Sequence, residues 1–172
     1  MGAAALAFAA PQSAWAAGWD EASKTYTVEG QDGYPQGSER VRLPDGSTLD
    51  LSKADATNEG RTDSLNSQFI LEGDVTIIGS ENTEYTGYLF CTKFVSGDDA
   101  SNKIELRNFR MKYDQSESLG DYFFTNNTEV VYDGSCQLPA MRVISKGSSV
   151  TMSPKDDAAT MTVSRFHTAG NN

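Results

Sequence analysis

Two adjacent acid pairs, Asp98-Asp99 and Asp156-Asp157, are the first residues whose types could do chemistry. Neighbouring carboxylates can hold a hard cation such as calcium. Consecutive strand residues point to opposite faces, so either pair would chelate only from a loop. Both pairs read as loops, where solvated charge is the ordinary state of such a pair, and neither matches an EF-hand or a nonapeptide calcium repeat. No metal is assigned. The most basic stretch runs from Lys103 to Lys112, with Arg107 and Arg110 flanking Asn108-Phe109. If that strand alternates, Glu105 and Arg107 share its outward face, and with Tyr113 nearby they could grip an acidic sugar; the alternative is cross-strand ion-pair decoration. Tyr85, Tyr88, Tyr113 and Tyr122 lie near loop edges, where rings stack on sugars or dock a protein, or pack half-buried with a wet hydroxyl. These four tyrosines, with Arg107 and Arg110, form the candidate binding set.

Other chemistries fail on supply. The single histidine, His167, sits in a polar tail, and no GxSxG is present, which excludes a Ser-His-Asp hydrolase. No Gly-rich phosphate loop occurs. A glycosidase needs two carboxylates about 5–10 Å apart across a cleft; acids are so plentiful that none can be singled out, and no catalytic residue is assigned. Cys91 and Cys136 are too far apart for CxxC chemistry, and one histidine leaves a Cys2His2 zinc site incomplete. They either form a disulfide or stand as two buried thiols. No cofactor is expected. Asn126-Asn127-Thr128 is a glycosylation sequon, relevant only in a host that glycosylates.

The elements that must position these residues are strands. Of 172 residues only 38% are apolar, yet 10% are aromatic, and past residue 20 there is almost no helical period. Short β-branched and aromatic runs alternate with Gly, Asn and Asp. One pattern recurs: two apolar residues at alternate positions, then a residue that tolerates positive φ. Its copies are Val41-x-Leu43-x-Asp45, Val75-x-Ile77-x-Gly79, Ile104-x-Leu106-x-Asn108 and Val130-x-Tyr132-x-Gly134, spaced by 34, 29 and 26 residues. Periods of this size belong to solenoids. A second series, Phe69-Ile70-Leu71, Leu89-Phe90-Cys91, Tyr122-Phe123-Phe124 and Met141-Arg142-Val143, would supply another sheet of the same coil. The chain has room for about five coils of this kind. The fold expected is all-β, a short right-handed parallel β-helix. Its rival is an antiparallel sandwich or jelly roll, because Asp45-Gly46 and Asp133-Gly134 are hairpin signals, with Lys146-Gly147 a weaker one.

Residues 1–16 carry no charge; Ala3 to Ala10 form a short apolar run, and Ala14-Trp15-Ala16 places small residues where a signal peptidase cuts. They are assigned as a signal peptide, truncated if a basic start is missing upstream. Residues 17–39 follow as an N-terminal cap or linker, 40–166 as the β-helix-like domain and 167–172 as a polar tail. No run is long enough to span a membrane. The formal charge is −10, with 24 acids against 14 bases and no cluster of Lys and Arg, which excludes a nucleic-acid partner.

From Val41 to Leu51, Val75 to Gly79 and Ile104 to Phe109 the chain resembles the opening coils of pectate-lyase-like right-handed parallel β-helix proteins of bacterial surfaces and secretions. The likeness runs from about Arg40 to Phe166. The resemblance implies an extracellular or cell-surface life. It is compatible with adhesins, structural stalks, polysaccharide lyases and glycoside hydrolases, so fold leaves function open. The expected role is an exported, non-catalytic interaction module, adhesive or scaffolding, whose partner is a glycan or a host or cell-envelope protein. The alternative is a polysaccharide lyase or glycoside hydrolase, or a fragment of one.

Overall fold

The computed structural model describes residues 18–57, 68–86, 90–92, 102–112, 123–125, 127–139, 141–143 and 149–168. The expected signal peptide therefore lies outside the described residues. The rest is all-β and winds into a parallel β-solenoid of about 4 turns. The chain enters with β1 (Trp19–Asp20) and β2 (Thr25–Gly30), followed by β3 (Val41–Leu43) and β4 (Ser47–Ala54). The next coil holds β5 (Phe69–Leu71), β6 (Val75–Ile78) and β7 (Glu84–Tyr85). After it come β8 (Phe90–Thr92), β9 (Asn102–Arg107) and β10 (Arg110–Met111), then β11 (Phe123–Thr125), β12 (Thr128–Asp133) and β13 (Ser135–Leu138). A further coil comprises β14 (Met141–Val143), β15 (Val150–Pro154) and β16 (Thr160–Val163), and β17 (Phe166–Thr168), stacked on β14, begins the turn after it. His167 is thus in a strand, not in a polar tail.

Stacking of the coils makes three faces. The main face is a seven-stranded sheet in the order β1-β2-β4-β6-β9-β12-β15, and the second is the four-stranded sheet β16-β13-β10-β7. The third carries two three-stranded sheets, β3-β5-β8 and β11-β14-β17, with β8 and β11 side by side. Among the described residues every pairing is parallel except β1 with β2. The Asp45-Gly46 and Asp133-Gly134 hairpins of the rival fold do not form. β3 and β4 lie in different sheets, as do β12 and β13, so both pairs are corners between faces.

The apolar repeat is an in-register interior stack. Val75, Ile104 and Val130 align, as do Ile77, Leu106 and Tyr132. The first copy is shifted: Val41 and Leu43 line up with Phe69 and Leu71 on the third face, and the main-face partners of Val75 and Ile77 are Ser47 and Leu49. Leu43, Leu49, Leu51, Phe69, Ile77, Ile104, Leu106, Phe109 and Leu138 are wholly buried. Each contributes about 1.5–3 kcal/mol of apolar burial. Aromatic rings fill the wider parts of the interior: Tyr85 stacks on Phe109 at 5.4 Å and 7°, and Tyr26 meets Phe69 edge-on at 5.5 Å.

Corner chemistry holds the coils in register. Gly79 has no room for a side chain, since a Cβ there would lie 2.5 Å from the Asn108 carbonyl oxygen and 2.8 Å from Phe109 Cα. Asn108 takes φ 47° and Gly134 φ 68°, the left-handed bend that Asn and Gly tolerate. At another corner the Asp45 carboxylate accepts the Asp74 amide at 2.9 Å, and the Asp74 carboxylate accepts the Lys103 amide at 2.7 Å. Each acid thereby satisfies a backbone donor of the coil above it.

Candidate binding groove

Thr27 and Asp50 are register partners on the main face, as are Glu29 and Lys53, with a bulge in β4, where Leu51 and Ser52 stand opposite Val28 alone. Irregular pairing of this kind re-aims side chains. The outer surface of β2 and β4 forms the floor of an open groove of about 740 Å³, lined by Trp19, Asp20, Thr27, Glu29, Asp32, Asp50 and Lys53. β1 forms one wall, because its antiparallel pairing sets Trp19 opposite Tyr26 and Asp20 opposite Thr25. The Trp19 ring is half-buried against the core, and its indole Nε1 donates to Glu21 Oε2 at 2.6 Å. Asp20 accepts the Ser23 hydroxyl at 2.7 Å and the Ala22 amide at 3.0 Å. Those bonds, the Ser23 hydroxyl foremost, hold its carboxyl below the usual range. Asp50 accepts the Ser52 amide at 2.9 Å. Lys53 donates to Glu29 at 2.9 Å, and that hydrogen bond raises the Lys53 pKa. Four carboxylates thus face one ammonium across a floor bordered by an indole. Such a surface repels anions and suits a neutral or cationic ligand with an apolar face to lay on the ring.

The sequence-derived binding set is scattered. Tyr85 is not an exposed ring at a loop edge: it is 0% exposed, and its hydroxyl donates to the Leu51 carbonyl at 2.5 Å, so no ligand reaches it. Tyr88, Tyr113 and Tyr122 lie outside the described residues, as do Asp98-Asp99. Arg107 and Glu105 do share the outer face of β9, joined at 2.8 Å. Lys155 reaches the same Glu105 oxygen at 2.7 Å and Asp133 at 3.3 Å, closing a neutral network of two acids and two bases. The Arg107 hydrogen bond is the main reason the Glu105 carboxyl sits below its usual range. Arg110 pairs at 2.5 Å with Glu84, its register partner on β7. Asp156 uses one carboxylate oxygen to cap a turn, accepting the Ala158 and Ala159 amides at 2.9 and 3.0 Å. Among the described residues no three Asp, Glu, His or Cys side chains converge to hold a metal ion.

Cys136 is a free, buried thiol, so the disulfide with Cys91 is not formed. The register explains this: position 91 pairs with Ile70 on the third face, whereas Cys136 lies in the second face beside Met161. The Cys136 sulfur contacts the carbonyl oxygens of Asp133 at 3.4 Å and Leu106 at 3.6 Å, and burial raises its pKa.

Sequence reasoning missed the groove. Trp19-Asp20 stands just beyond the expected cleavage site, where it reads as a linker. Only the pairing of β1, β2 and β4 brings Trp19, Asp50 and Lys53 together. No family model, no curated protein and no solved structure matches the chain.

Proposed function

We propose that the protein is an exported, non-catalytic interaction module of the kind found among pectate-lyase-like β-helix proteins of bacterial surfaces, acting as an adhesin or scaffold toward a glycan or cell-envelope protein. The observation that carries this reading is the open groove, where an indole borders four carboxylates and one lysine on the outside of a regular ladder. An indole beside hydrogen-bonding carboxylates is a platform for the apolar face of a sugar ring or for a cationic side chain. The groove's negative charge disfavours the acidic polysaccharides that a lyase would bind. The cations at Arg107, Arg110 and Lys155 engage carboxylates of their own chain.

The test is a glycan array probed with the wild-type chain and with Trp19→Ala. Retention of neutral or amino sugars is expected, weakened about tenfold by the substitution, which corresponds to about 1.4 kcal/mol of ring stacking. In parallel, the chain is incubated with acidic polysaccharides with and without calcium. Accumulation of ultraviolet-absorbing unsaturated product would replace the binding reading with a lyase.

A further inference from the structure

On the rest of the surface, cations are matched by acids of their own chain. Arg42 pairs with Glu72, Arg110 with Glu84, and Arg107 and Lys155 share Glu105. The groove at Trp19 reverses that balance. Among the described residues it holds one cation, Lys53, whose ammonium donates to Glu29 at 2.9 Å. Asp20, Asp32 and Asp50 also line it, and none of them is in ion-pair contact with a described cation. Four carboxylates against one ammonium leave a net charge of −3 in one open hollow, beside an indole. One oxygen of Asp50 accepts the Ser52 amide, and the other accepts no hydrogen bond from a described residue.

This lining sets out what a ligand must bring. Excess negative charge calls for a positive group. An indole face attracts a cation as well as an apolar C–H surface. The Thr27 hydroxyl and the carboxylate oxygens accept hydrogen bonds from hydroxyl donors. A lysine side chain would answer the charge and leave the ring and those acceptors poorly used. A neutral sugar would cover the ring and leave the charge unanswered. A sugar ring that carries a protonated amine meets all three demands. We propose that the groove selects glycans with free amino groups, of the β-linked glucosamine class, over their neutral or N-acetylated counterparts. Trp19 is the stacking platform, and Asp32 and Asp50 read the charge. The proposal rests on the groove being the binding site of the protein. Lys53 opposes such a ligand, so its ammonium tempers the affinity.

The experiment is titration calorimetry in mildly acidic buffer with a glucosamine tetramer, the same tetramer fully N-acetylated, and tetralysine. The free-amine tetramer should bind about tenfold more tightly than the acetylated one. Asp50→Asn keeps an acceptor for the Ser52 amide and should weaken the amine tetramer about threefold. Lys53→Gln breaks only an exposed ion pair and should strengthen it by a similar factor, a gain that a damaged fold cannot produce. Glu129→Gln, the same loss of charge three strands away from β4 on β12, should change nothing. Equal affinity for the two sugars, lost for both in Trp19→Ala, overturns amine selection while leaving the groove a sugar site. Binding of neither sugar overturns it together with the groove reading itself. Tighter binding of tetralysine than of the amine tetramer overturns it in favour of a cationic peptide. An affinity for the amine tetramer that ignores Trp19→Ala and Lys53→Gln overturns it as well, by tracing the attraction to the overall charge of −10.

Discussion

Tyr85→Phe removes one hydroxyl from the interior and changes the shape of the packing little. The Tyr85 ring is 0% exposed, and its hydroxyl donates to the Leu51 carbonyl at 2.5 Å. Near neutral pH the loss of that bond costs about 0.5–1.5 kcal/mol. Raising the pH changes the comparison. Burial pushes the Tyr85 hydroxyl up to about 12, against an ordinary 10.0. Between those values the unfolded chain has released the proton and the folded chain still holds it. The native state then binds one proton more, and stability falls by about 1.4 kcal/mol per pH unit. The contribution is whole below pH 10.0 and is lost as pH rises through about 12. The full loss is on the order of 3 kcal/mol. Phenylalanine has no proton to release, so the variant escapes this part of the alkaline loss. Tyr26, also raised by burial, remains in both proteins and cancels in the difference; Tyr34 is raised chiefly by burial and next by the charge of Tyr85, so only its burial part cancels, and the relief it gains in the variant adds to the same trend. Urea unfolding of both proteins from about pH 8 upward should show the wild type more stable at first, the curves crossing near about pH 11, and the variant more stable beyond it. Curves that stay parallel across this range would refute the assignment of Tyr85 as a buried, proton-retaining hydroxyl.

Phe109→Ala removes the ring stacked on Tyr85 from a wholly buried site and should cost about 3–5 kcal/mol in denaturant unfolding. Gly134→Ala places a Cβ at φ 68° against the Asn108 side chain; a loss of about 1–3 kcal/mol is expected, and Asn108→Gly in the same chain should restore part of it by clearing the clash. Glu105→Gln leaves Arg107 and Lys155 without their shared carboxylate, and urea unfolding at neutral pH should show a loss of about 1 kcal/mol or less. Because the folded Glu105 carboxyl lies below its ordinary 4.5, its stabilisation is present above that value and disappears as pH falls through the lowered one, so wild type and variant should converge in acid.

Much of the winding was legible because its signals are local. Val75-x-Ile77, Ile104-x-Leu106 and Val130-x-Tyr132 alternate as main-face strands must, and Gly79, Asn108 and Gly134 end them at the corner. The first coil was misaligned for a physical reason. Its main-face strand begins with Ser47, a polar residue at an interior position, buried to 2%. The stronger apolar pair Val41 and Leu43 therefore drew the alignment one face too early, and the Asp45-Gly46 corner after it looked like a hairpin. Tyr85 was misjudged because Glu84-Tyr85 is too short to reveal which side faces inward, and the hydroxyl's partner, Leu51, comes from an earlier coil. The ion pairs Glu84–Arg110 and Glu29–Lys53 and the groove at Trp19 share this property. Each is made by residues from different strands, and only the stacking register decides which ones meet.

The main-face ladder also sets how the molecule bears load. Its strands lie across the solenoid axis, so the bonds between coils run along that axis. Tension applied through the two chain ends meets those bonds a few at a time, at the outermost turn. The molecule should therefore yield as a spool pays out thread, one turn after another at modest force, while a push across the stack is shared by every rung at once.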